Sequence, residues 1–354
     1  MAIKGINTND AVTKKVWDEQ AFREARKEMY CSKFMGNTSG ALIYEKTNLE
    51  KSQGDQITFT LFPRAQAPIV LGSTGEAVEG REGTYEQFTD SIILEEYNTA
   101  FRVRTNGLDE QRAWFSIQDE TAQAIEQWSS EVMDDLWFAA MQSAPSRVMF
   151  NSGAIATTAG TIATGVAAIA AGDKLNPTLI RRLRVLAKTG FASGSNARKA
   201  YPFRPVKIGG VDYFVLLVHP YAVYDMKENA AYQQSVREAM ERSKNNPIFS
   251  GAVAVIDNVI IHEHENIQLL ETSAGSGIYY CTGIFMGAGS SIWAWGRRWK
   301  TTTESFDYGR QEGVNRSMIA KTKKTSFKYT STGSAEDYGS CGVYIAVTDV
   351  ANNA

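Results

Sequence analysis

Two histidines alternate with two glutamates in His262-Glu263-His264-Glu265, and neutral imidazole is a common metal ligand. In a strand, this alternation places both imidazoles on one face and both carboxylates on the other, so the two histidines could bind one metal ion. The sequence offers no third ligand at a matching spacing. We therefore interpret the segment as an exposed edge strand and predict no metal site.

Aromatic and cationic side chains are interleaved in Trp293-Ala-Trp295-Gly-Arg-Arg-Trp299-Lys300. This pattern suits stacking on nucleic-acid bases combined with contacts to phosphate. It is equally typical of a strand whose alternating tryptophans face the core and whose basic end lies in water. Both interpretations are open from the sequence.

Other signs of catalysis are lacking in the sequence. It contains no G-x-S-x-G, G-x-x-x-x-G-K-[ST] or H-E-x-x-H motif, and Gly287-Ala-Gly289 lacks the third glycine of a dinucleotide site. The remaining histidine, His219, precedes Pro220, where we expect a role in a turn. Widely separated cysteines predict neither a disulfide framework nor a zinc cluster. We predict no enzyme, no catalytic residue and no cofactor.

Two alternating segments, residues 56–62 and 91–105, predict the strands of a long hairpin. A glycine-rich, acidic loop separates them and is predicted to form an exposed tip. A two-stranded hairpin is marginally stable alone, so it must pack on another surface. The tip residues expected to make that contact are Gly72, Gly75, Glu76, Glu79, Arg81 and Glu82.

A long helix is predicted over residues 108–144, where large apolar side chains recur at steps of three and four. At 1.5 Å per residue it would be roughly 55 Å long. Its predicted core-facing residues are Trp114, Ile125, Trp128, Val132 and Leu136. An amphipathic helix is also predicted over residues 11–35.

The second half of the chain predicts shorter elements. Residues 148–172 carry no charge and are mostly small, so we interpret them as a mobile or loosely packed surface loop rather than a membrane span. Asn176-Pro177 predicts the start of a helix that ends at Gly190. A hairpin over residues 203–218 is expected to turn at Gly209-Gly210, and short strands follow from residue 253 to 347.

Composition indicates a folded chain of two or three compact units: it has 354 residues, 43% of them hydrophobic, and a net charge of −2. This near-balance excludes a globally basic nucleic-acid binder. The start of the chain lacks the basic and apolar regions of a secretory signal, which predicts a cytosolic start.

The charges are separated into blocks. Residues 76–120 contain eleven acidic and four basic residues, residues 174–207 nine basic and no acidic ones, and residues 294–330 nine basic and three acidic ones. Complementary blocks suit contacts between copies of one chain, and the alternative is neutralisation within each monomer. The predicted basic contact patch consists of Arg181, Arg182, Arg184 and Lys188.

The order of arm, hairpin, rod-like helix and mixed domain resembles the HK97-like fold of tailed-phage major capsid proteins. More narrowly, the chain resembles the N4-like phage major capsid family from about Trp17 to its C-terminus. The matching segments are Gly54-Asp55-Gln-Ile-Thr-Phe, Glu76-Ala-Val-Glu-Gly80, residues 102–112, Leu216-Leu-Val-His219-Pro220, Asn246-Pro247-Ile-Phe-Ser-Gly251 and Ile284-Phe-Met-Gly287-Ala288.

The resemblance implies an α+β fold with defined parts. Residues 1–50 would form an N-terminal arm, whose Trp17 and Phe22 contact other subunits. The remaining parts would be an E-loop hairpin at 51–107, a P-domain at 108–202 with its spine helix at 108–144, a mixed α/β A-domain at 203–290, and the return strands of the P-domain at 291–354.

The function implied is a major capsid protein that self-assembles, as hexamers and pentamers, into the icosahedral head of a tailed double-stranded DNA phage. Portal and possible scaffolding or decoration proteins would be its partners, and it would enclose DNA without sequence-specific binding, cofactor or membrane. It would occur in the virion, and in the host cytoplasm before assembly. The alternatives are an encapsulin-like nanocompartment shell and a soluble nucleic-acid-binding protein using Arg297, Arg298 and Trp299.

Overall fold

The computed structural model describes residues 29–38, 40–47, 50, 54–62, 79, 87–104, 117–190, 202–230, 232–233, 252–328 and 335–349. The α-helices are α1 (Ile117–Gln142), α2 (Ala159–Ala167), α3 (Pro177–Thr189) and α4 (Pro220–Glu228). The strands are β1 (Met35–Gly36), β2 (Ile43–Lys46), β3 (Gln56–Leu61), β4 (Phe88–Ile93), β5 (Glu95–Arg104), β6 (Val148–Phe150), β7 (Ile155–Ala156), β8 (Val206–Ile208), β9 (Val211–Val218), β10 (Ala252–Ile256), β11 (Val259–Glu263), β12 (Leu269–Glu271), β13 (Tyr279–Met286), β14 (Ser291–Phe306), β15 (Gln311–Lys324), β16 (Ser326–Phe327), β17 (Glu336–Asp337) and β18 (Ser340–Val347).

Helix α1 contacts both large sheets. The indole N–H of Trp137, which is fully buried, donates to Ser291 Oγ in β14 at 3.0 Å, and Gln142 Oε1 accepts from Thr282 Oγ1 in β13 at 2.8 Å. The predicted long helix is confirmed over its described part, which spans 26 residues or about 39 Å. Of its predicted core residues, Ile125 is buried, and Trp128, Val132 and Leu136 are half-buried. Trp114 lies outside the described residues.

Nine strands form the larger sheet, in the order β10-β11-β9-β13-β18-β6-β7, with β12 paired to β13 and β8 to β9. Strands β9 and β13 read as near-continuous apolar runs, because their last residues are buried on both faces. The main hydrophobic core lies between this sheet and helices α1, α3 and α4.

Five strands form the second sheet, in the order β1-β2-β14-β15-β5. Strand β14 is buried from Ser291 to Trp295 and then runs exposed from Lys300 to Ser305, so its second half leaves the core. Irregular pairing between β14 and β15 occurs at this transition, around Arg297. We call the outer half of the sheet, residues 98–104, 300–306 and 311–317, the tongue.

The predicted hairpin is present as the pair β3–β4, which begins at Gln56↔Ile93 and runs to Leu61↔Phe88. The second predicted arm is divided, however. At Leu94 the chain leaves β3, and β5 pairs with β15 instead. The two parts of this arm pack on different surfaces. In the hairpin, Ile57 and Ile92 are buried against Ala294 of β14, whereas β5 continues along the tongue.

Residues 148–172 are folded, so the prediction of a loose surface loop is wrong. Thr158 caps α2 through reciprocal bonds with Thr161, and Ile162 and Val166 pack on a small core that contains Phe150, Ile169 and Tyr344. Small residues permit this packing. Gly165 touches the Phe150 ring so closely that a Cβ would lie 2.4 Å from it. Within the described residues, no helix is long and apolar enough to cross a membrane.

Other local predictions have mixed outcomes. Asn176 accepts from the Leu179 N–H at 2.8 Å, and α3 ends at Gly190 with φ 94°, as predicted. The hairpin β8–β9 turns at Gly209-Gly210, also as predicted. The helix predicted over residues 11–35 does not continue to its end, because Tyr30–Phe34 is a 3₁₀ turn followed by β1; residues 1–28 lie outside the described residues.

Candidate functional site

The two histidines of the 262–265 segment pack against aromatic side chains of the same chain. Strand β11 is flanked by β10 and β9, so the interpretation as an exposed edge strand is wrong. His262 is fully buried, and the His264 ring lies 4.3 Å from Tyr30 and 4.5 Å from Phe138. No group of three metal-ligating side chains occurs in the described part of the chain. The pair instead packs residues 30–34 onto the sheet.

Asp134 of α1 holds the same segment. Its carboxylate is buried and accepts the N–H groups of Tyr30 and Cys31 at 2.7 and 2.9 Å. Burial, together with the charges of Asp134 and Glu263, raises the pKa of Tyr30 above its ordinary value. These charge-assisted bonds fix the start of the described chain to the long helix.

The tryptophan-rich strand serves the core. Trp293 and Trp295 are buried, Arg298 pairs with Glu45 at 2.8 Å, and Arg297 pairs with Glu96 at 3.3 Å. The interpretation as a strand with a core face is therefore confirmed. The nucleic-acid alternative depended on these two arginines, which already have carboxylate partners within the chain.

His219 caps α4, as expected for a residue in a turn. Its Nδ1 accepts the Tyr221 N–H at 3.2 Å, which requires the neutral ring. Burial lowers the pKa of His219 from 6.5, while the charge of Glu265 opposes the shift. All three cysteines are free and buried, and burial raises the pKa of Cys281 and Cys341 to about 12. Neither thiol is therefore a nucleophile at neutral pH.

The base of the β3–β4 hairpin is fixed by three contacts. Lys323 Nζ lies 2.6 and 2.8 Å from the two carboxylate oxygens of Asp90 and also donates to the Ser91 carbonyl at 3.1 Å. The rings of Phe59 and Phe327 meet edge to face at 5.9 Å. The third contact is the small Ile57, Ile92 and Ala294 core.

The hairpin's outer face is open. Thr58, Thr60 and Thr89 are exposed, and Ile93 is 59% exposed. Of the predicted tip residues, Glu79 lies in an exposed turn, whereas Gly72, Gly75, Glu76, Arg81 and Glu82 lie outside the described residues, as do Trp17 and Phe22 of the arm.

The predicted basic patch is partly neutralised within the chain. Arg184 pairs with Asp257, and Lys188 lies 3.7 Å from Asp212. Arg181 and Arg182 are exposed and form no ion pair within the described residues, although the Arg182 guanidinium lies against Gly153. Two of the four patch residues, Arg181 and Arg182, thus remain available for a contact between chains.

The acidic and basic blocks also meet inside one chain. Lys321 pairs with Glu95, and hydrogen bonds from Lys321 and Tyr97 hold the pKa of Glu95 below 4.5. With Asp90–Lys323 and Glu96–Arg297, this makes three intrachain pairs between the 76–120 and 294–330 blocks. Here the alternative of neutralisation within the monomer is confirmed.

The prediction of only short strands over residues 253–347 is wrong for β14 and β15, which have 16 and 14 residues and extend into the tongue. Two of the three tongue strands, β14 and β15, join at the turn Asp307–Gly309, whose Tyr308 is fully exposed. A groove of about 930 Å³ lies along one face, above a floor of small residues such as Ala100, Gly313 and Ser317. The sequence signal that could have indicated this hairpin is the turn sequence Asp-Tyr-Gly between two polar segments of similar length.

A comparison with known families decides the identity. Residues 5–349 match the family of phage capsid proteins, which is nearly the whole chain. The chain belongs to this family. Capsid proteins build the shell of the virion, so the structural role predicted for this capsid protein and its place in the virion are confirmed at that level.

Similar proteins agree with this assignment. The major capsid protein of Pseudomonas phage KPP25 is 23% identical, and the alignment covers 98% of this capsid protein and 99% of that one. The fold of the present capsid protein matches that of the capsid of Ralstonia phage GP4, with a TM-score of 0.78, 24% identity and 99% of each chain covered. It also matches the capsid of cyanophage Pam1, with a TM-score of 0.79 and 19% identity, over 99% of this chain and 100% of that one. The predicted HK97-like fold and the function as a major capsid protein of a phage head shell are confirmed. The N4-like assignment stays a prediction.

Proposed function

We propose that copies of this capsid protein hold one another through the β3–β4 hairpin, and that hexamers and pentamers so formed close into an icosahedral head. One observation carries the proposal. Within the described residues, the hairpin is a two-stranded ribbon that pairs with no third strand, and its outer face is exposed. Its inner face packs on β14 and β16 of its own chain, so the outer face is the one left for another surface. In a closed assembly, the next subunit supplies that surface.

Charge adds specificity to this contact. The tip sequence carries Glu76, Glu79 and Glu82, and the exposed arginines of a neighbouring copy, Arg181 and Arg182, offer the complementary charge. The N-terminal arm, with Trp17 and Phe22, makes a second contact between subunits in the arrangement that the family resemblance implies. The division into E-loop, P-domain and A-domain follows the same resemblance.

The protein's role is structural, without catalysis or cofactor. It assembles in the host cytoplasm around a portal, with a separate scaffolding protein or decoration proteins where the phage uses them. It encloses double-stranded DNA without reading its sequence, which agrees with the pairing of Arg297 and Arg298 to carboxylates of their own chain.

Electron microscopy of the purified full-length protein tests the proposal. Under assembly conditions we expect closed shells of uniform diameter. Dynamic light scattering should give the same diameter in solution. A protein that stays monomeric over a range of salt and protein concentrations, while circular dichroism shows it folded, would contradict it.

A further inference from the structure

The tongue ends in an aromatic side chain that its own chain does not cover. Tyr308 is 106% exposed, and both it and Asp307 have positive φ values, 55° and 51°. This left-handed conformation favours glycine or asparagine and is unfavourable for tyrosine. A large ring is thus presented to water on a strained turn, with no compensating contact in the described structure.

Two contacts of Phe306 lie next to this turn. The Phe306 ring lies flat on Gly313, where a Cβ would come within 2.7 Å of it, and the Arg102 guanidinium covers the ring at 3.9 Å from its centroid. A substituent at residue 313 would displace the ring. These contacts limit the conformations of Phe306 next to the turn before any partner arrives, which lowers the entropy lost on binding.

The charge at the tip favours an acidic partner. Residues 102–104 and 306–312 contain three arginines and two acidic residues. Arg310 is exposed next to the turn, and Arg104 stands opposite Gln311 on the neighbouring strand. An exposed aromatic side chain with an exposed arginine two residues away suits a pocket with aromatic walls and carboxylates at its edge.

The same chain carries such a pocket on another part of its surface. It has a volume of about 240 Å³ and lies between α1 and the turn after β11. Tyr30 and His264 form aromatic walls, and the Tyr30 hydroxyl is buried without a hydrogen-bond partner in the described part of the chain. Among the described residues, the lining contains no lysine or arginine, although the Lys33 ammonium lies 5.0 Å from the Tyr30 ring centroid; the acidic lining residues are Glu131, Asp134, Asp135 and Glu265.

We propose that the tongue tip of one copy docks into this pocket on a second copy. The Tyr308 ring lies against Tyr30 and His264, and Arg310 lies beside the carboxylates of Glu131 and Asp135. The inference rests on the proposed function, because it needs copies that meet in a shell. It adds a second interface, separate from the hairpin, that joins a tongue to the long helix of another subunit.

Replacing the aromatic side chain tests the docking. Tyr308→Ser should slow shell assembly at least about tenfold, as for loss of an interface aromatic, and leave the melting temperature of the monomer unchanged. Tyr224→Ser removes another exposed tyrosine, 46% accessible on α4, and should leave the rate within about twofold. Assembly of Tyr308→Ser at the wild-type rate would overturn the docking and leave the proposed function intact. A wild-type protein that forms no shell would contradict both.

A cross-link locates the contact. In shells that carry both Asp307→Cys and Glu265→Cys, which keep the Tyr308 ring and the Glu131 carboxylate, oxidation should join the two positions between different chains, and mass spectrometry of the linked peptides identifies the link. The natural cysteines are buried and do not compete. Shells in which residue 307 forms no such link overturn the pairing of tip and pocket. Arg310→Glu should slow assembly, and Glu131→Arg in the same chain should restore it.

Discussion

Lys324 Nζ lies 3.1 Å from Asp337 Oδ2, and the two side chains are only 12% and 6% exposed. The same ammonium donates to the carbonyls of Ser143 and Ala144, immediately after α1, and Asp337 also accepts the Ser146 N–H at 2.8 Å. This buried pair therefore caps the C-terminal end of the long helix and joins it to β15 and β17.

Removing the cation should destabilise the monomer strongly. Lys324→Met leaves the Asp337 carboxylate buried without its partner, and we expect a loss of about 3–5 kcal/mol in the free energy of unfolding. Urea unfolding followed by circular dichroism measures it. Lys300→Met, at an exposed position of β14, is the control and should change stability by less than about 0.5 kcal/mol. Equal effects of the two changes would show that the pair contributes nothing.

Two glycines of α2 should respond in opposite directions to alanine. At Gly165 a methyl group meets the Phe150 ring at 2.4 Å, so Gly165→Ala should cost about 1–3 kcal/mol. Gly160 has no atom within 4 Å of that position, so Gly160→Ala should be neutral or stabilise by up to about 1 kcal/mol. Thermal unfolding compares them. The packing described for α2 is wrong if both variants unfold at the same temperature.

Acid should weaken the cap of α4. Because the folded pKa of His219 lies below 6.5, the neutral ring stabilises the fold above that pH, and this contribution is lost as pH falls through the folded pKa. His219→Asn keeps a cap that does not titrate. Melting temperatures between pH 7.5 and 4.5 should fall less steeply for the variant than for the wild type. Parallel curves would contradict the assignment.

Charge reversal should test the proposed contact between the acidic hairpin tip of one copy and the exposed arginines of another. Glu76→Lys with Glu79→Lys should impair assembly, and so should Arg181→Glu with Arg182→Glu, while each monomer still folds. All four changes together should restore shells, which electron microscopy can count. Reversal at Arg184 and Lys188 is the matched comparison; because both have partners in their own chain, it should lower monomer stability instead. Failure of the fourfold variant to recover would contradict the pairing.

Local signals predicted the elements whose ends depend on their own residues. The start of α3 follows from Asn176 and its end from Gly190, and the turn of β8–β9 follows from two glycines, because caps and turns are decided within a few residues. The long helix was visible in its apolar spacing for the same reason.

Errors arose where distant residues decide. Strand β10 pairs with the outer edge of β11, and Tyr30 and Phe34 cover the His262 ring; the spacing of two histidines carries no information about these neighbours. The division of the hairpin arm at Leu94 depends on Ala294, some two hundred residues later in the chain. Block sums of charge left open whether the blocks meet between copies or within one monomer, because they do not show that Asp90 and Glu95 meet Lys323 and Lys321 in the same subunit.

The fixed base of the β3–β4 hairpin bears on how fast a head can grow. With Lys323, Phe327 and Ala294 determining its direction, a subunit that reaches the growing rim carries a hairpin that is already oriented. The entropy lost in each addition is then mainly the translational and rotational entropy of the incoming subunit. If neighbouring subunits meet through this hairpin as proposed, a subunit that arrives at a wrong angle makes few contacts and dissociates quickly, and the curvature of the head is selected at every step of growth.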